Sequence, residues 1–477
     1  MTIDRTRSYR LAFVSVLLSS SWIIFYRLGD LLWTACDESY TSYCVNSVLK
    51  SHNWLYNFDA EGFSYGGAKP PLFIWCEVLM AKAFGFNEWS LRALPALAGV
   101  VTIMVVFDFV YKETGAVVQA SVCAVVLLTT QGYVNHHVTR SGDFDSLLTL
   151  FTTLYVIYFY RYLRTGRRRS LWYFNLFLAL GVLTKSTEAL LFLPCLAVFV
   201  MINPRKGLFG LKEIAVSACI FLLIVVPYYV VKEIALPGYI HYALGFELIG
   251  RFAGSGDFNA RYWTSAYKLI VTGRYLPWIL FYLLSVYYLF RKNRVGHPFF
   301  EEGGFLLLRY SFFLSATWFF VLCFSNTQFS WYLAPFYPIA AIATGITVTE
   351  LFSRYRGFMP GFLLTACLLY GAVLYKFYYR NAGHYKVAAS LFGQAMRAPA
   401  AYQLKFYTGN LNWVQLFYQD RAAFNNRPVE RVSLSDLKTG DLFLYDDYLQ
   451  PRIDSACGKP QTAIACWEGN CMIRVAK

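Results

Sequence analysis

Two short segments carry the side chains best suited to chemistry: Asp37-Glu38-Ser39-Tyr40 and, further along, Lys69-Pro70-Pro71-Leu72-Phe73-Ile74-Trp75. A carboxylate there could take the proton from a hydroxyl as its oxygen attacks a carbon centre. A lysine followed by two rigid prolines could neutralise a departing phosphate. Each residue also has a structural alternative. Asp37 could cap a helix starting at Glu38, and Lys69 could extend its ammonium to a headgroup layer.

Further clusters follow. His136-His137-Val138-Thr139-Arg140-Ser141-Gly142-Asp143-Phe144-Asp145 gathers two acids and an arginine where a helix is expected to begin. Asp143 or Asp145 could cap that helix or face a substrate groove. The adjacent histidines are poorly spaced for one metal ion. His241, Glu247 and Arg251 recur at roughly helical spacing. Glu247 and Arg251 suit a helix-stabilising ion pair, with metal ligation by His241 and Glu247, or a donor contact by Arg251, as the functional alternative. Lys185 follows Gly181-Val182-Leu183-Thr184, where a cation could meet a phosphate. Trp331 and Tyr332, within Ser325–Pro338, could line a lipid or sugar groove or join an interfacial aromatic belt.

The chain that must position these groups has 477 residues, of which 57% are hydrophobic, 19% aromatic and only 15% charged. That balance is foreign to a soluble protein. Apolar stretches at 11–33, 89–111, 116–134, 144–162, 170–184, 188–203, 212–232, 269–290, 305–324, 329–351 and 359–378 predict about eleven transmembrane helices. With the N-terminus in the cytoplasm, the inner loops hold Lys112, the run Arg161–Arg169, Arg205 and Lys206, Arg291 to Arg294, and Arg354 and Arg356. This is the distribution that the positive-inside rule asks for. It also accounts for the net charge of +15 without a nucleic-acid partner, because the basic residues fall between spans rather than in one tract. The apolar run after Arg10 is too long for a cleaved leader and reads as a first helix.

On the outer side lie loops 34–88 and 233–268 and the C-terminal tail. Residues 40–50 and 72–84 have helical apolar spacing but too little length to span, which predicts helices lying in the interface. The expected organisation is a membrane domain over 1–378 and a small α/β or β-rich extracytoplasmic domain over 379–477. Cys457, Cys466 and Cys471 allow at most one disulfide among themselves. Every cluster named above falls on the outer side. Ionisable groups at a bilayer boundary are expensive, so their concentration on one face favours function.

In order, Asp37-Glu38, Lys69-Pro70-Pro71-Leu72-x-x-Trp75, Leu91-Arg92-Ala93-Leu94-Pro95, Arg140-Ser141-Gly142-Asp143-x-Asp145, Leu183-Thr184-Lys185 and Trp331-Tyr332-x-x-Pro335 resemble the GT-C membrane glycosyltransferases. The resemblance runs over residues 10–340 and is to the branch holding protein O-mannosyltransferases and the lipid A aminoarabinose transferase. It implies an all-α GT-C bundle in a bacterial inner membrane and a polyprenyl-phosphate monosaccharide donor. It further implies transfer on the extracytoplasmic face, with inversion, to lipid A, a glycan or a protein. Asp37 would be the catalytic acid residue with Glu38 supporting it. Lys69 would bind the donor phosphate, joined by Arg140, Lys185 and Arg251. Asp143, Asp145, Glu247, Trp331 and Tyr332 would border the substrate groove. A divalent ion is a possible cofactor. Relatives often carry a lysine before the Trp-Tyr pair, where this chain has Asn326-Thr327-Gln328. The competing class is a transporter or flippase of lipid-linked sugars, which calls for broken helices in paired halves.

Overall fold

A computed structural model describes residues 5–30, 37–55, 69–134, 137–202, 210–245, 274–291, 304–324, 329–355 and 357–376, together with the backbone of five C-terminal strands. The chain divides into two compact units. One comprises Met1–Tyr26, Asp59–Phe73 and Pro95–Val373; the other comprises Arg27–Phe58, Ile74–Leu94 and Leu374–Lys477.

The described elements of the first unit are all helical. It holds α1 (Arg5–Phe25), most of the helix Glu88–Thr114 (here α4), α5 (Val117–Leu128), α6 (Asp145–Thr165) and α7 (Arg168–Lys185). A short 3-10 turn, Ser186–Leu190, leads to α8 (Phe192–Ile202), α9 (Leu211–Ala235) and α10 (Tyr239–Leu244). Then come α11 (Trp278–Arg291), α12 (Gly304–Phe324), α13 (Phe336–Arg354) and most of α14 (Phe358–Lys376). Among the described residues, six helices are long and apolar enough to cross a membrane. The count is seven if α7 and α8, bent by 71° at their junction, form one broken span.

The sequence reading expects about eleven spans, and its remaining intervals coincide with helices that are shorter or more polar. The α5 helix has 12 residues and α11 has 14. The α6 helix is long enough but carries Asp145, Ser146, Thr149, Thr152 and Thr153, all buried. Such a helix cannot face hydrocarbon and must be enclosed by protein. It packs along α7, while α13 packs against α5, α11 and α12.

Buried hydroxyls and ring N–H groups tie these helices together. Tyr310 donates to the Val156 carbonyl at 2.7 Å and Tyr155 to that of Ala189 at 2.8 Å. Trp278 Nε1 donates to Thr129 Oγ1 at 3.0 Å. Satisfying polar groups inside the bundle is what an apolar surrounding requires. Gly345 brings α13 against α5 so closely that a Cβ there would overlap Cys123. The outward face of α1 shows Leu11, Val14, Leu18 and Trp22, and that of α9 shows Leu223, Val226, Val230 and Ile234. These are helical stripes suited to lipid.

The second unit contains α2 (Asp37–Ser51), most of α3 (Leu72–Phe84) and the first turns of α4. With 15 and 13 residues, α2 and α3 are too short to span. Trp75 Nε1 donates to the Trp54 carbonyl at 2.7 Å. Asn87 caps α4: Ser90 N–H donates to Asn87 Oδ1 at 3.0 Å, and Asn87 N–H returns a bond to Ser90 Oγ at 3.3 Å. In the tail, β1 (Leu404–Tyr407), β2 (Val429–Val432), β3 (Leu442–Asp446), β4 (Gln461–Trp467) and β5 (Asn470–Val475) form one sheet ordered β2-β1-β3-β5-β4. The β1 strand is parallel to β2 and β3, whereas β5 is antiparallel to β3 and β4.

Candidate active site

The α6–α7 hairpin assembles the most polar cluster of the first unit. Gly166, at φ 65°, ends α6 and turns the chain into α7 within two residues. The arms have 21 and 18 residues, so their far ends meet. Asp145 opens α6 and Lys185 closes α7. Lys185 Nζ lies 2.7 Å from Asp145 Oδ1 and 3.0 Å from Glu188 Oε2, and all three side chains are buried or nearly so. Two carboxyl groups thus share one ammonium. Tyr332 covers the lysine, its ring centroid 5.1 Å from Nζ.

One oxygen of the cluster is left open. Asp145 Oδ2 is buried and has no hydrogen-bond partner among the described residues. The hydroxyls of Thr149 and Thr153, one and two turns along α6, are in the same state. At i, i+4 and i+8 the three form a polar stripe on one helix face. Buried polar atoms are nearly always satisfied, so such a stripe marks where ordered water or a hydroxyl-bearing ligand finds partners.

The segment before α6 holds an aromatic and acidic corner. His137 adopts a left-handed backbone, φ 65°, and its Nδ1 lies 3.2 Å from Asp143 Oδ2. Its ring stacks on Trp331 at 4.2 Å, and Trp331 stacks on Phe329 at 4.7 Å. Asp143 Oδ1 accepts from the Phe144 N–H at 2.6 Å. Lys69 places Nζ 4.5 Å from the Phe144 ring centroid, a cation–π contact.

Arg140 points elsewhere. Its guanidinium donates to the carbonyls of Ile23, Ile24 and Tyr26 at 3.0, 2.6 and 2.7 Å. It thereby closes the C-terminal end of α1, where a cation also meets the negative pole of the helix.

In the second unit, Asp37 and Glu38 occupy the first turn of α2. Asp37 is half-buried. Glu38 is enclosed and grips Arg92 through two bonds, Oε1 to Nε at 2.6 Å and Oε2 to Nη2 at 2.9 Å. Arg92 Nη1 also donates to the Leu28 carbonyl at 3.1 Å. The fork is the strong, bidentate form of a charge-assisted pair.

Of the residues named from sequence, the structure brings Asp145 and Lys185 together, and joins Asp143 through His137 to Trp331. His241 lies on α10 and is exposed. Glu247 and Arg251 lie outside the described residues, as do His136 and Asn326–Gln328. Arg92 and Glu188 were given no role from sequence. Glu188 was findable one helical step beyond Lys185, and Arg92 inside Leu91–Pro95, but neither spacing names its partner.

An all-α polytopic membrane fold carrying acidic and basic groups at helix ends is the setting in which the comparisons fall. Residues 68–230 match the family described as dolichyl-phosphate-mannose-protein mannosyltransferase. The stretch includes Lys69, Arg140, Asp145 and Lys185. The chain is 28% identical over 211 residues to "Putative mannosyltransferase YycA" of Bacillus subtilis (strain 168), covering 43% of this chain and 29% of that protein. It is 28% identical over 205 residues to "Putative mannosyltransferase YkcB" of the same organism, covering 42% and 27%. The chain thus matches less than a third of the length of either relative. Its fold is similar to that of ArnT from Cupriavidus metallidurans bound to undecaprenyl phosphate, with a TM-score of 0.69, 16% identity, and 98% and 97% of the two chains covered. At that identity the likeness is one of fold.

Proposed function

We propose that this protein is an integral-membrane glycosyltransferase that moves a monosaccharide from a polyprenyl-phosphate donor to an envelope acceptor on the extracytoplasmic face. The carrying observation is that the family segment, residues 68–230, contains the buried Asp145–Lys185–Glu188 cluster with its open carboxylate oxygen. A sugar is the ligand whose hydroxyls would complete such a site.

In the reaction, an acceptor hydroxyl oxygen forms a bond to the anomeric carbon as the bond from that carbon to the phosphate oxygen breaks. The hydroxyl proton passes to the Asp37 carboxylate, and polyprenyl phosphate leaves with the bonding pair. A single displacement of this kind inverts the anomeric centre. Lys69 neutralises charge on the leaving phosphate, the step at which electrostatic stabilisation contributes most. Asp145 Oδ2 accepts from a sugar hydroxyl, while Lys185 and Glu188 hold that carboxylate in place. Asp143 and His137 orient Trp331, whose neighbour Tyr332 borders the same groove. The Glu38–Arg92 fork fixes the first turn of α2 and with it the backbone of Asp37. The acceptor, be it lipid A, a glycan or a protein, is chosen outside this core.

Mass spectrometry of envelope glycolipids and glycoproteins, with and without the gene, tests the proposal. One species should lose a single sugar residue and regain it on complementation by the wild-type gene but not by Asp37→Asn. An unchanged envelope profile across all four strains would sink the reading.

A further inference from the structure

At the opposite ends of α7 and α9 from those that carry Lys185 and Ala235, the two helices frame a cavity of about 180 Å³. Its rim is basic and its floor apolar. Arg168 begins α7 and Lys212 lies in the first turn of α9, both exposed. Leu171 and Ile220, 5% and 9% exposed, form the floor, and the more exposed Val216 lines the wall. Trp172 stands at the side, 57% exposed. The spacing explains the polarity gradient. Arg168, Leu171 and Trp172 share one face of α7, and Lys212, Val216 and Ile220 share one face of α9, so each helix runs from charge to hydrocarbon within two turns.

We infer that this cavity binds the phosphate headgroup of an anionic phospholipid, with the start of an acyl chain on its floor. Two cations sit beside two helix N-termini, whose unpaired N–H groups and positive poles add to the attraction for phosphate. The one acid lining the cavity, Glu213, already accepts the Gly210 N–H at 3.1 Å. A volume of 180 Å³ equals that of about six waters, enough for a phosphate and a few methylenes but not for a whole lipid. The Trp172 ring suits the headgroup level. Arg161, Arg164, Arg167 and Arg169 mark this end as the cytoplasmic one by the positive-inside rule, the leaflet side where anionic lipid meets basic juxtamembrane residues. The inference does not depend on the transfer reaction.

The test takes the full chain in detergent micelles, titrated with phosphatidylglycerol, phosphatidylcholine or inorganic phosphate and read by native mass spectrometry. Two basic contacts of ordinary strength should make phosphatidylglycerol bind about thirtyfold tighter than phosphatidylcholine. Arg168→Gln combined with Lys212→Gln should remove most of that preference. Arg164→Gln with Arg169→Gln, which deletes the same charge nearby, should keep it. Thermal melting verifies that each variant is folded, and Lys212→Gln alone should lose part of the preference if the double variant is unstable. Equal binding of both lipids by the wild type overturns the inference, as does an equal loss in the control pair. Displacement by inorganic phosphate at matching concentration overturns it too, since that would mark a free-anion site.

Discussion

Glu38 and Arg92, 54 positions apart in sequence, lock together through two hydrogen bonds of 2.6 and 2.9 Å inside the second unit. The carboxylate next to the proposed base is therefore engaged by a guanidinium on both oxygens. It is the clasp that ties the first turn of α2 to the start of α4. Removing one partner of a buried ion pair costs about 3–5 kcal/mol because the other charge is stranded. Glu38→Ala should lower the melting temperature by roughly 5 °C, and Glu38→Gln by less. Melting of Glu38→Ala alongside the wild type would show that the clasp carries no stability.

Asp37→Asn keeps the shape of the side chain and removes its basicity. Sugar transfer should fall by about a thousandfold, while the melting temperature stays near that of the wild type. Transfer at the wild-type rate would remove Asp37 from the chemistry.

For Lys69→Ala the expected loss is in use of the lipid donor, seen as a higher donor KM and a lower kcat, with the acceptor KM unchanged. Lys69→Arg should recover part of it, because a guanidinium also binds phosphate. Donor kinetics equal to those of the wild type would take Lys69 out of the phosphate role.

Lys185→Met removes the ammonium that Asp145 and Glu188 share in a buried site and should destabilise the bundle strongly. Adding Glu188→Gln should recover part of the stability without recovering transfer. Asp145→Asn, by contrast, should fold and lose about a hundredfold in rate if its open oxygen meets the sugar. Melting curves and single-turnover rates on the same preparations separate the two effects.

Gly345→Val should weaken the packing of α5 on α13, since a Cβ there overlaps Cys123. Cys123→Ala in the same chain should restore stability only in part, because the Cys123 backbone also stands within 3 Å of that Cβ. Full rescue would show that the Cys123 sulfur alone sets the approach.

Much of the helical layout was legible because it depends on local patterning. The interfacial segments expected at 40–50 and 72–84 are α2 and α3, and the intervals 89–111 and 305–324 lie within α4 and α12. The interval 144–162 corresponds to α6, whose enclosure by its neighbours could not be read from hydropathy because the burial of its threonines and Asp145 depends on those neighbours. Side-chain partners were less legible. Arg140 sits in a motif rich in acids, yet its guanidinium turns to carbonyls of α1, more than 100 positions away. Asp145 and Lys185 are distant in sequence as well, but hairpin arms of similar length could have paired them. Their meeting follows from counting turns, not from the motif around either residue.

The grip of Arg140 on Ile23, Ile24 and Tyr26 makes the first helix a working part of the bundle. Trimming or exchanging that helix would strip a deeply enclosed guanidinium of three acceptors at once. Fusion partners and affinity tags therefore belong ahead of Arg5, and chimaeras should join downstream of the loop that bears Arg140.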